Sequence, residues 1–278
     1  MYISVIAGAL QPAAQRKERE TMAEIKPFKA LRFTEKAGAA DELVCPPYDI
    51  ISEEERQAYL RRNPHNVIRL ELPRPEREGE DPYAAAGSVL DEWLREGFLA
   101  EDDAPALYIY EEAFTAGGRD YAVRGFICRV KLEEFSKGVV LPHEETLSKA
   151  KADSFNLMNA TGCNFSQIYS LYMDETGETR RAVEALSAGA PEKSFTDAEG
   201  VTHRLWVAAD GPAVQAVCAQ FASRKLYIAD GHHRYETDDA GGYGKSRPGG
   251  FPHPSRRPGS AGFRSRRAPK GLRRLLRY

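Results

Sequence analysis

The chain has 278 residues, 42% of them apolar, and a formal net charge of −2 from 39 basic and 41 acidic side chains. That apolar content is enough for a packed core and excludes wholesale disorder, and no uninterrupted apolar run approaches the roughly 20 residues a membrane helix needs. The near-neutral total averages two unlike stretches: residues 241–278 hold 11 of the basic groups and no acidic one, leaving 28 basic against 41 acidic, a net of −13, in residues 1–240.

Tyr2 to Leu10 is apolar, but no basic residue precedes it and no small-residue cleavage pattern follows, so it does not read as a secretory signal. Met22 begins a conventional domain opening, and residues 1–21 are expected to be an extension outside the fold. Ser52 with Glu55 forms a capping-box pattern for a helix to about Arg62, ended by Asn63 and Pro64, and Asn66 to Leu72 reads as a strand. Asp81 caps the clearest helix, with Pro82 in its first turn, an apolar stripe of Tyr83, Ala86, Leu90, Trp93 and Leu94, and Gly97 as its stop. Leu107 to Phe114, Gly117-Gly118 and Tyr121 to Leu132 predict a hairpin, and Phe195 to Val207 around Glu199-Gly200 a second. Between the hairpins fall a helix from about Leu147 to Ala160, a strand from Phe165 to Met173 and a helix from Glu178 to Leu186. Pro212 to Phe221 follows as a helix and Lys225 to Ala229 as a short buried strand. This alternation predicts a mixed α/β chain of the α+β class.

Cys45, Cys128, Cys163 and Cys218 form no C-x-x-C pair and the sequence shows no clustered histidines. That argues against a zinc site and a disulfide scaffold, and reduced thiols in a cytoplasm are the expectation. An acidic body without a basic stripe gives no electrostatic ground for nucleic-acid binding, so a small molecule is the expected partner; nothing in the sequence sets the oligomeric state.

Three segments carry candidate chemistry. Asp230-Gly231-His232-His233-Arg234 follows an apolar strand. A glycine turn opening a helix offers free backbone N–H groups, and His and Arg add positive charge for a phosphate; the alternative is a solvated loop. In His143-Glu144-Glu145-Thr146, after Val139-Val140, a carboxylate beside Pro142 suits a general base with the imidazole orienting it; the alternative is an acidic helix N-terminus. Lys151 follows, either as a surface charge or near a phosphate. The rigid Cys45-Pro46-Pro47 turn holds Tyr48 and Asp49 in fixed positions, as scaffold or as substrate rim.

Taken in this order, the segments resemble the domain of unknown function 1015 family. The likeness runs over residues 22–237, through Ile25 to Phe33, Pro46 to Ile51, Asn63 to Pro73, Leu141 to Thr146, Lys149 to Asp153, Asn164 to Tyr172 and Leu226 to Thr237. Ser154 departs from the arginine usual in the family. The Asp-Gly-His-His-Arg segment is also similar to the phosphate motif of the ParB and sulfiredoxin superfamily, whose free-serine kinases use a glutamate in an upstream His-Glu segment. That resemblance implies a ParB/sulfiredoxin-like nucleotide-binding core with additional strands and helices, acting as a phosphotransferase on a small hydroxyl metabolite such as free serine with a nucleoside di- or triphosphate and Mg. A nucleotide-binding regulatory protein and an inactive fragment are the alternatives. Carried over, Glu144 is the base with Glu145 as fallback, Gly231 to Arg234 cradle phosphate, and Asp230 orients substrate or binds metal.

The stretch from 238 onward departs from the family's continuing helix. At the acidic frequency of the body about six carboxylates are expected in the last 38 residues, and none is found. A frameshift near residue 238 and a disordered basic arm both fit this composition.

Overall fold

The computed structural model describes the backbone of residues 2–10, 22–75, 77–144 and 148–237, with side chains from residue 22 onward apart from 148–150. The basic stretch 238–278 and Glu145 lie outside the described residues. In chain order the strands are β1 (Tyr2–Leu10), β2 (Ile25–Lys26), β3 (Leu31–Phe33), β4 (Leu99–Glu101), β5 (Ala106–Ala116), β6 (Arg119–Lys131), β7 (Val140–Leu141), β8 (Ile168–Met173), β9 (Lys193–Thr196), β10 (Thr202–Ala209) and β11 (Leu226–Asp230). The helices are α1 (Ala40–Leu43), α2 (Glu53–Arg62), α3 (Ile68–Glu71), α4 (Pro82–Glu96), α5 (Ser148–Thr161), α6 (Glu178–Leu186), α7 (Pro212–Gln220) and α8 (His232–Thr237). The fold is mixed α and β, as expected, and no helix among the described residues is long and apolar enough to cross a membrane.

The chain divides into two units, one of residues 1–29, 103–144 and 167–235, the other of 30–102, 145–166 and 236–278. The first is built on a sheet ordered β7-β11-β8-β1-β6-β5-β10-β9, with β2 also pairing with β6. β5 and β6 form the predicted hairpin across Gly117-Gly118, and both glycines take the positive φ that a tight turn requires. The core holds Leu107, Ile109, Phe126, Ile168, Val217 and Phe221, all at most 0% exposed. Phe126, Tyr172 and Phe221 meet through edge-on and tilted rings at 4.9–6.3 Å.

The fold corrects the sequence at its start. Residues 2–10, expected outside the domain, form β1 inside the sheet, antiparallel to β6 and parallel to β8. An apolar stretch without flanking charge is what a doubly paired central strand looks like, and its partners lie too far along the sequence for local patterning to reveal them.

The second unit gathers α1 to α5 and the β3–β4 pair. The capping box of α2 forms, with Ser52 N–H donating to Glu55 Oε2 at 2.8 Å and Glu55 N–H to Ser52 Oγ at 3.2 Å. α4 begins as predicted at Asp81, whose Oδ1 accepts from Tyr83 N–H, and ends at Gly97 with φ 76°. Its buried stripe is Ala86, Val89, Leu90 and Trp93; Leu94 is 36% exposed, one step off the face. Trp93 packs with Leu70, Val89, Leu90 and Leu99, joined by Phe33, Phe98, Cys163 and Phe165.

The predicted strand Asn66 to Leu72 is instead the turn into α3. The buried Asn66 side chain accepts from Ile68 N–H at 3.0 Å and donates to the carbonyls of Glu42 and Val44. These bonds hold the backbone helical where β-branched residues favour extension.

Candidate functional site

β7 and β11 pair in parallel, Val140 opposite Leu226 and Leu141 opposite Tyr227. Parallel strands end on the same side of a sheet, where α/β folds collect their ligands. The segment after β7 begins Pro142-His143-Glu144 and the segment after β11 begins Gly231-His232, so two motifs far apart in sequence leave the sheet together. Apart from the adjacent His232-His233, the sequence showed no grouped histidines; the fold brings His143 against His232.

His143 Nδ1 lies 2.8 Å from the Ile228 carbonyl, so it carries the proton and donates. The backbone N–H of His143 donates to His232 Nε2 at 3.2 Å, and the two rings meet edge-on with centroids 4.5 Å apart. Since His232 Nε2 accepts, the proton of the neutral ring sits on Nδ1. That atom is 3.1 Å from Glu144 Oε1. The N–H does not aim along this line, so Nδ1 is buried without a hydrogen bond among the described residues, although the atoms are in contact. The Glu144 side chain is 41% exposed and that of His232 0%, so the carboxylate is the partner with room to swing into alignment. Burial holds the His232 imidazole below its ordinary value, against the pull of Glu144, and favours the neutral ring.

α8 is anchored by Tyr235, 2% exposed, whose hydroxyl donates to the Glu133 carbonyl at 2.8 Å and accepts from Glu133 N–H at 3.1 Å. Phe135 stacks on the same ring at 5.1 Å. These contacts stabilise a helix too short to hold by its own bonds. Arg234 lies back over Gly231, bonding the Gln167 carbonyl at 2.9 Å and Asp230 Oδ2 at 2.6 Å. Gly231 has φ 94°, and a Cβ there would sit 3.0–3.2 Å from the Arg234 guanidinium, so only glycine admits this approach.

His143, Glu144 and His232 can each offer one donor atom, all within 4.8 Å of one another. Two imidazoles and one carboxylate do not suit Mg²⁺, which takes oxygen ligands, and the His232 atom facing Glu144 carries a proton rather than a free lone pair. Asp230, the metal ligand expected from the sequence, is engaged by Arg234.

His143, Glu144 and Asp230 to Arg234 therefore share the first unit. Tyr48, Asp49 and Lys151 belong to the second. There Lys151 pairs with Glu236, and Tyr48 to Ile50 form a single 3-10 turn. Burial, reinforced by Glu71, pushes the neighbouring Cys45 thiol up to about 12, which makes it unreactive.

Sequence patterns missed a second polar cluster on β5, β10 and the turn before β10. Tyr110 Oη lies 2.6 Å from His203 Nδ1, and His203 Nε2 lies 3.2 Å from Asp197 Oδ2. Asp197 reaches His203 across the β9–β10 turn, and the register of β10 on β5 brings Tyr110 to the same imidazole. Beside them Glu112 Oε1 is buried with no hydrogen-bond partner among the described residues. Burial pushes the Glu112 carboxyl up to about 7, against its hydrogen bond from Tyr110 and with Asp197 adding to the rise. A carboxyl raised in the folded state favours folding below its unfolded value, and that contribution is lost as pH rises from about 4.5 to about 7. Glu112→Gln is expected to be more stable than the parent by roughly 1–3 kcal/mol at pH 8 and equal to it near pH 4. Urea unfolding across that range checks this; parallel curves for the two proteins count against it.

Residues 25–250 match the family described as protein of unknown function (DUF1015). The match covers most of the chain, which belongs to this family, and it reaches past residue 237 into the basic stretch. Comparison with curated proteins and with solved structures finds no match.

Proposed function

We propose that this member of the DUF1015 family is a nucleotide-dependent phosphotransferase acting on a small hydroxyl metabolite, free serine being the first to test, with a ParB/sulfiredoxin-like active site. One observation carries the proposal: Glu144 Oε1 lies 3.1 Å from His232 Nδ1, which joins the candidate base to the candidate phosphate motif. Glu144 takes the proton of the acceptor hydroxyl, and that oxygen attacks the terminal phosphorus. The bond to the bridging oxygen breaks, and the shortened nucleotide leaves. Neutral His232 is held by the His143 amide, and its Nδ1 lies beside Glu144; when the half-exposed carboxylate swings into line it accepts the Nδ1 proton in a hydrogen bond that orients it for this transfer. Gly231 lets backbone and the Arg234 guanidinium approach one phosphate, with His233 adjacent.

Incubation of the full chain with ADP or ATP and serine, followed by ³¹P NMR, is expected to show a phosphate monoester. Absence of nucleotide binding by calorimetry rejects the proposal, whereas binding without product across hydroxylated metabolites assigns the pocket to regulation. Gly231→Ala is expected to weaken nucleotide binding roughly tenfold, because the substituted residue is strained at φ 94° and displaces Arg234. Unchanged affinity in that variant removes Gly231 from the site.

A further inference from the structure

The second unit contains a cavity of about 600 Å³ between α2, α4 and the Pro73–Pro75 segment, within the size range of small-molecule sites. Three guanidinium groups line it, Arg56, Arg69 and Arg74, with Glu53 as the lining carboxylate. Its apolar wall comes from Leu60 of α2 and the small residues Ala85, Ala86 and Val89 of α4. Arg56 and Arg74 share the single carboxylate of Glu53.

Arg56 is the residue that most requires an explanation. Its side chain is only 6% exposed, yet its protein anion is Glu53, 3.4 Å away and 52% exposed. Glu53 is also shared with Arg74 at 2.9 Å and Gln57 at 3.0 Å. Arg56 Nε donates to the Leu72 carbonyl at 2.8 Å, which fixes the plane of the guanidinium. Its charge is thus balanced by a half-exposed carboxylate that a second guanidinium also uses, weaker compensation than a buried charge ordinarily has. Here burial pushes the Arg56 guanidinium below its ordinary value, and Arg74 and Arg69 add to that against Glu53.

We propose that this cavity binds a small organic oxyanion, a phosphate ester or carboxylate with an apolar body, the oxyanion meeting Arg56 and Arg74 and the body lying on Leu60, Ala85 and Val89. A planar guanidinium fixed through its Nε suits contact with such a group through its terminal nitrogens. The site belongs to the second unit and does not depend on the phosphotransferase assignment.

Phenyl phosphate and benzoate, titrated separately into the full chain by calorimetry at low salt, separate the two ligand classes. At least one is expected to bind one per chain with a Kd of about 1 mM or below, weakened by added salt. Arg74→Glu is expected to weaken that binding at least roughly tenfold, and Glu53→Gln, which removes the competing carboxylate, to strengthen it by roughly threefold or more. His232→Ala is expected to leave it unchanged. Arg74 and Glu53 are both about half exposed, so both variants should fold, and circular dichroism verifies this. Should Arg74→Glu fail to fold, Glu53→Gln alone decides. The proposal is overturned when neither probe binds, when the charge variants leave binding unaltered, or when His232→Ala abolishes it, which would place the probe in the phosphate motif instead.

Discussion

Glu144→Gln is expected to lower phosphotransfer turnover by roughly 10²–10⁴, the range that a positioned general base contributes, while nucleotide affinity changes little. The substitution keeps size and hydrogen-bonding reach but replaces the basic carboxylate with an amide oxygen too weakly basic to take the proton. Binding should survive because the phosphate contacts are assigned to Gly231, His233 and Arg234, on the other segment. His232→Ala should fall between the two proteins and alter the pH profile, since the imidazole acts through Glu144. Single-turnover measurements with saturating nucleotide separate chemistry from binding. Turnover of the Glu144→Gln protein within about threefold of the parent would exclude the base assignment.

Trp93→Ala is expected to destabilise the second unit by about 3–5 kcal/mol. Trp93 is 1% exposed, and its ring meets Phe33 at 5.8 Å and His65 at 5.5 Å, so truncation leaves a cavity that α4 cannot collapse around. A loss of that size is comparable with the whole stability of many domains. The other tryptophan, Trp206, lies on β10 in the first unit and reports on that unit by fluorescence. Hydrogen exchange should show α4 deprotected while β5 and β6 remain protected. A urea midpoint equal to that of the parent would mean that the ring is less tightly packed than its contacts indicate.

Local signals in the sequence were sufficient where one segment contains its own instruction. Asp81 with Pro82 and Gly97 bounds α4 to the residue, and Gly117-Gly118 specifies the β5–β6 turn. Asn66 defeated such reading because its side chain bonds backbone that is distant in sequence, and no periodicity encodes that. The candidate site was legible as two separate motifs. Their meeting was not, because it depends on β7 and β11 lying side by side in parallel. The Tyr110–His203 contact was invisible for a related reason, since the register of β10 on β5 assembles it. The arginine-lined cavity was hidden among residues that individually resemble an ordinary charged helix face.

The place of β1 carries a kinetic consequence. It precedes both of its partners in the chain, and Val5 must find Cys128 on one side and Ile168 on the other. Loop closure over such separations is slow, so the strand stays unpaired at least until β6 has been synthesised and half-paired until β8 follows. During that interval its unpaired edges are open to other chains. Holding of nascent β1 by a chaperone, or slow translation after β8, would then govern yield more than final stability does. The same geometry makes β1 the seam between the β7-β11-β8 edge that carries the candidate site and the remainder of the sheet.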